Sequence, residues 1–259
     1  MIYKLSVLAR NNRFLGRVLG KFDRLGGRAK PIANADLVRN EVSGKSFADI
    51  GCMWGINGLN SFIAEEAGAT EVVGVDVYPE SEEFLKEKEK RNSRIRFVRG
   101  DINSAETIEA IGTLDVVLCG GVLYHTPDPV HLLSRLRAIC RETLILNTCS
   151  IPEMRGLENA AVFYPFLDAS QRKIWDRGMG TQKAITGSYE PESGYGNWFW
   201  GMTPSCIEAL LKCAGFEVRE RYIRPFECAF VCTAAEVQFL PESGEWITPQ
   251  DAEFLKFKR

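Results

Sequence analysis

The sequence contains no C-x-x-C pair and only two histidines, His125 and His131, on one short stretch, so it offers no spacing for a structural zinc site. No uninterrupted run of seven or more apolar residues occurs, which leaves neither a secretory signal core nor a membrane span to be read from it. Internal repeats and low-complexity tracts are absent as well. The eight cysteines do not suggest a disulfide scaffold. Cys52, Cys119, Cys140, Cys149, Cys206, Cys213, Cys228 and Cys232 mostly interrupt apolar runs, as reduced, buried thiols of a cytosolic protein do. The expectation is a soluble, cytoplasmic protein that needs no metal. Missing too is the middle glycine of the nicotinamide fingerprint G-x-G-x-x-G, because Met53 stands in its place.

With 259 residues, 45% of them hydrophobic, the chain can bury a sizeable core and fits one domain with appendages. Its net charge of −2 conceals an asymmetry. Residues 1–30 hold Lys4, Arg10, Arg13, Arg17, Lys21, Arg24, Arg28 and Lys30 against Asp23 alone, a net +7, which leaves −9 on the other 229 residues. Apolar residues at Leu5, Leu8, Leu15, Val18, Leu19, Phe22 and Leu25 recur at near-helical spacing. We therefore divide the chain into a basic amphipathic segment (1–45), a main domain (46–233) and a tail (234–259).

Strand-like apolar runs fall at 46–51, 71–77, 95–99, 114–119 and 142–149, separated by stretches of helical character that include 57–67, 80–91 and 129–140. Recurrence at roughly 20- to 30-residue intervals is the rhythm of right-handed βαβ crossovers and predicts a parallel sheet covered by helices on both faces. A further helix over 204–214 is marked by Thr203 as cap, Pro204 at its first position and Gly215 beyond its end. Residues 216–223 and 227–233 read as two strands around Pro225. The interval 151–202 is too long for a simple connection and is rich in aromatics and glycine, which predicts a cap over the substrate side of the cleft.

The segment Ser46-Phe-Ala-Asp-Ile-Gly-Cys-Met-Trp-Gly-Ile-Asn-Gly58 followed by Val72-Val-Gly-Val-Asp76 reads as strand, glycine turn, helix, strand and acidic tip. Gly51 and Gly55 let the backbone turn tightly and approach a ligand, and a carboxylate about 25 residues beyond Gly51 can accept both ribose hydroxyls. The looser glycine spacing suits a nucleoside without a pyrophosphate.

The D-I-G-C-x-x-G turn (Asp49 to Gly55), Asp76, Gly100-Asp101 and Gly120-Gly-Val-Leu-Tyr-His125 together resemble the class I S-adenosylmethionine-dependent methyltransferases. The G-V-L-Y-H run, Asn197-x-x-Trp200, Thr203-Pro204 and Ala214-Gly-Phe216 resemble the subgroup that contains the tRNA wobble-uridine carboxymethyltransferases. The likeness is good over 46–150 and thinner over 195–233. It implies a Rossmann-like, doubly wound, mostly parallel seven-stranded α/β sheet, with 216–233 as an antiparallel hairpin at its edge and an aromatic-rich insertion as substrate cap.

It also implies roles. Asp49, Gly51 and Gly55 would orient the methionyl part of S-adenosyl-L-methionine, Asp76 would hold its ribose, Asp101 its adenine amino group and Ile102 an adenine face. Gly120 would approach the ligand, and Tyr124 and His125 would face the transferring methyl group. Imidazole changes charge nearest neutral pH, so His125 is the best available base for a hydroxyl acceptor. Asn197, Trp198 and Trp200 would hook and cover the acceptor. Each position also has a plain packing or capping explanation, and His131 falls inside a helix as a surface or packing residue.

Tyr124 matches a phenolic position of members that use the carboxylated donor, while their accompanying lysine and arginine have no placed counterpart here. Methyl transfer to a small molecule or glycan leads. One rival is tRNA modification, favoured by the basic start. Another is a non-catalytic module whose residues 1–25 contact a membrane surface or partner helix. In a third arrangement that segment packs over the cleft as a lid.

Overall fold

The structure is a computed structural model, and it describes residues 33–163, 200–224 and 227–235. The basic segment 1–25, Asn197, Trp198, most of the expected cap and nearly all of the tail lie outside these residues.

The chain enters through helix α1 (Asn34–Glu41) and continues through β1 (Ser46–Ile50), α2 (Leu59–Glu66), β2 (Glu71–Asp76), α3 (Glu82–Lys90) and β3 (Arg96–Arg99). There follow α4 (Ala105–Ile111), β4 (Leu114–Gly120), a single 3-10 turn (Leu123–His125), α5 (Pro129–Ile139) and β5 (Cys140–Cys149). Two short strands, β6 (Ala161–Phe163) and β7 (Trp200–Met202), precede α6 (Pro204–Cys213), β8 (Phe216–Arg224) and β9 (Glu227–Ala234).

Seven strands form one sheet in the order β3-β2-β1-β4-β5-β9-β8, parallel from β3 to β5, with β9 antiparallel to both β5 and β8. This is the expected doubly wound α/β sheet with its antiparallel edge. Burial explains the nearly continuous apolar strands, since successive residues feed opposite faces. Phe47, Val116 and Ile145 join Leu37 and Val38 of α1, Phe62 of α2 and Phe84 of α3 in one core cluster. Their sequence neighbours Ala48, Val117 and Leu144 join Ile108 of α4, Leu132 of α5 and Ile207 of α6 in the other.

Helix starts follow local chemistry. Ser81, Ser104, Asp128 and Thr203 each accept a backbone N–H of the first turn, and Pro129 and Pro204 occupy first-turn positions without a needed donor. All eight cysteines are free, and all but Cys213 are buried.

Four elements are additions to the sequence reading. Helix α1 inserts Leu37 and Val38 beneath the sheet, and Val42 just after it joins them, so part of the segment before β1 is built into the core. Helix α4 spans only seven residues. Strands β6 and β7 pair antiparallel, Phe163 opposite Trp200, and close the ends of the long interval against each other.

Sequence order runs outward from β1 to β3 on one side and from β4 to β5 on the other. The carboxyl ends of β1 and β4 therefore flank a topological switch point, where open α/β sheets bind ligands.

Candidate active site

The site grows from the chain reversal after β1. Gly51 adopts φ +81°, and a Cβ there would lie 2.6 Å from Val122 Cγ2 and 3.2 Å from the Gly120 carbonyl oxygen. Only a glycine lets the turn lie this close to the end of β4. Gly55 also has positive φ, +74°, but open space around it, so its requirement is conformational alone.

Asp76, at the carboxyl end of β2 and 3% exposed, clamps the turn. One carboxylate oxygen accepts the Met53 N–H at 2.7 Å and the other accepts the Tyr78 N–H at 2.9 Å. A carboxylate offers about four acceptor sites, so two such bonds leave capacity on both oxygens for a diol. Met53, in place of the usual glycine, is buried among the core residues of the α1–α3 face.

Asp49 is 1% exposed and accepts the Ser61 hydroxyl of α2 at 2.8 Å. Burial drives its pKa from 3.8 to about 7, Asp76 adds in the same direction, and the hydrogen bonds from Ser61 oppose the rise. The turn thus holds a carboxyl group that changes charge near neutral pH.

Asp101, exposed beyond β3, accepts the Asn103 backbone N–H at 2.9 Å and its side-chain amide at 3.0 Å, forming the local turn that leads into α4. Ile102 beside it is buried in the α4–α6 core. Gly100 is needed because a Cβ there would stand 2.2 Å from the Thr107 hydroxyl.

At the end of β4, Gly121 (φ +74°) donates to the Asn147 carbonyl at 2.9 Å, and the chain turns through Leu123–His125. Tyr124 is 3% exposed, with its hydroxyl beside Gly121 and its ring 4.2 Å from the His125 ring, centroid to centroid. His125 is partly exposed. Trp200 donates its indole N–H to the Pro127 carbonyl at 3.0 Å and packs on Phe163 at 4.6 Å. It ties the β6–β7 pair to the loop that carries Tyr124 and His125.

The structure thus brings Asp49, Gly51, Gly55, Asp76, Gly120, Tyr124 and His125 to the carboxyl edge of the central strands, with Asp101 and Trp200 at its flanks. Sequence reasoning missed Asn34, Ser61, Asn147 and Glu227. Asn147 donates to Asn34 at 2.8 Å and to Glu227 at 3.4 Å, at the end of β5 beside Gly120. A polar residue closing the apolar run Leu144-Ile-Leu was a signal for Asn147; contacts across 113 and 80 residues left none for Asn34 and Glu227.

Residues 48–143 match the family model described as a methyltransferase domain. Among solved structures, the N-terminal domain of EvdMO1 with SAH bound aligns with a TM-score of 0.53 at 17% identity, over 79% of this chain and 81% of that one. Magnesium protoporphyrin IX methyltransferase from Synechocystis PCC 6803 with bound SAH gives a TM-score of 0.51 at 18% identity, over 78% and 82%. Residues 48–143 are thus similar to a methyltransferase domain, and the sheet that carries them has the class I S-adenosylmethionine-dependent methyltransferase fold.

Among curated proteins it is 32% identical over 107 residues to a tRNA U34 carboxymethyltransferase of Campylobacter hominis, covering 38% of this chain. A Campylobacter jejuni protein of the same description is 32% identical over 101 residues. The match spans about a third of the length of these relatives, 33% in each case.

Proposed function

We propose that this domain uses S-adenosyl-L-methionine to methylate a small-molecule or glycan acceptor by in-line displacement. One observation carries the reading. The buried Asp76 carboxylate clamps the Gly51 turn at the switch point and keeps free acceptor capacity there, as a ribose site requires.

In this reading Asp76 holds the ribose, Asp101 and Ile102 flank the adenine, and the turn from Asp49 to Gly55 receives the methionyl part. The sulfonium already activates the methyl carbon, so the protein's task is alignment, which can supply about 7–11 kcal/mol of the barrier. Tyr124 and His125 lie beyond Gly120, on the side where the methyl group would face the acceptor. Where the nucleophile is a hydroxyl, His125 takes its proton as the methyl is transferred. Trp200 covers the acceptor; Asn197 and Trp198, outside the described residues, are assigned to the acceptor by the resemblance alone.

Native mass spectrometry of the freshly purified protein tests the donor, with titration of S-adenosylmethionine and NAD if it is empty. S-adenosylmethionine or its demethylated product bound at one equivalent is expected. Binding of NAD alone, or of nothing, overturns the reading.

A second reading is favoured by the two tRNA-modifying relatives: carboxymethyl transfer to tRNA, with the basic first 30 residues following the phosphate backbone. It predicts co-purification of the carboxylated donor and tRNA binding that falls steeply with salt. Absence of tRNA binding at low salt removes it.

A further inference from the structure

We infer that Asn34 is the side chain that holds the α-carboxylate at the amino-acid end of the methyl donor. The inference rests on the donor reading above and adds a recognition residue from α1, ahead of the first strand.

The argument begins with Glu227, whose carboxylate can only accept hydrogen bonds when ionised. Asn147 must therefore turn its NH2 group toward Glu227, and that same group reaches Asn34 Oδ1 at 2.8 Å. With its oxygen facing Asn147, Asn34 presents its own NH2 group elsewhere, and that group donates to no described residue. A Cβ added at Gly120 would lie 3.3 Å from Asn34 Nδ2. Glu227, through Asn147, thus orients a hydrogen-bond donor toward the end of β4, and Glu227 and Asn147 are positioning residues in this scheme.

Strand order says which part of the ligand arrives there. With the ribose at Asp76 on β2 and the adenine toward Asp101 beyond β3, the rest of the donor extends the opposite way, across the end of β1 to that of β4. The Gly120 carbonyl, which faces the Gly51 turn, would accept from its terminal ammonium. Its carboxylate needs an N–H donor just beyond, and Asn34 supplies one.

The test compares two ligands by calorimetry on the full chain: S-adenosylhomocysteine, which has the amino-acid end, and 5'-methylthioadenosine, which lacks it. Asn34→Ala is expected to weaken the first by roughly ten- to a hundredfold, the span of one hydrogen bond to a charged group, and to leave the second within about twofold. Asn34→Asp keeps the oxygen that Asn147 uses, removes the donor and adds a like charge, so it should weaken S-adenosylhomocysteine more than alanine does. Unchanged methylthioadenosine binding certifies that each variant is folded. Wild-type affinity for S-adenosylhomocysteine in both variants, or equal loss of both ligands, overturns the assignment. If the unaltered chain binds neither ligand, the donor reading itself falls, and the assignment with it.

Discussion

The Asp76 carboxylate and the Met53 backbone N–H meet at 2.7 Å across 23 residues of sequence, so the acidic tip of one strand fixes the turn that follows another. The residue that would receive the ribose also shapes the loop that would receive the methionyl part. Asp76→Ala should therefore act twice, lowering unfolding free energy by about 1.5–3 kcal/mol through lost charge-assisted bonds and weakening S-adenosylhomocysteine at least about tenfold. Chemical denaturation and calorimetry on one preparation check both effects; unchanged affinity would remove Asp76 from the donor site.

Gly51 and Gly55 separate two reasons for glycine. Both have positive φ, but a side chain is obstructed only at Gly51. Gly55→Ala should cost about 1–2 kcal/mol, the penalty of the left-handed conformation. Gly51→Ala should cost more, because Val122 and the Gly120 carbonyl must also shift. Denaturation midpoints at constant slope would reveal the difference, and equal costs would show that the neighbours yield freely.

Asp49 gives the fold a pH dependence of defined sign. Its folded-state pKa of about 7 lies above the ordinary carboxylate value of 3.8. Between these values the folded state holds a proton that the unfolded state has lost, so this group's contribution to stability falls as pH rises from about 4 to 7 and then levels off. Asp49→Asn keeps an oxygen for Ser61 and removes the ionisation. It should raise the melting temperature at pH 8 and flatten the slope between pH 5 and 7. A melting temperature below wild type at pH 8 would show that the charge is compensated in the fold.

Trp200→Phe preserves an aromatic contact with Phe163 and deletes the indole bond to Pro127. A loss of about 1 kcal/mol is expected, the net worth of one neutral hydrogen bond. If the 120–127 loop depends on this tie, amide exchange at Tyr124 and His125 should accelerate more than exchange in β5.

Much of the fold was legible because buried parallel strands and their connecting helices write a coarse rhythm into the sequence. The runs containing Val72–Asp76 and Asp115–Cys119 are apolar enough to locate strands without knowledge of their partners. Thr203-Pro204 likewise marks α6 by a local cap. Helix α1 escaped because Leu37 and Val38 are its only buried residues, set among Asp36, Arg39 and Glu41. The β6–β7 pair escaped because three-residue strands carry almost no periodicity, and their pairing depends on chain positions far apart. Asp49, Gly51, Asp76 and Gly120 announced themselves as turn and strand-end chemistry. Asn34 and Glu227 gained meaning only when folding set both against Asn147.

The closed pair of Phe163 and Trp200 makes the stretch between them a cassette. Its two ends leave from one place, so replacing residues 164–199 by a segment of another length need not change the separation that β5 and α6 must span. Evolution, or an engineer, can therefore revise that stretch while the glycine turn and its carboxylates stay as they are.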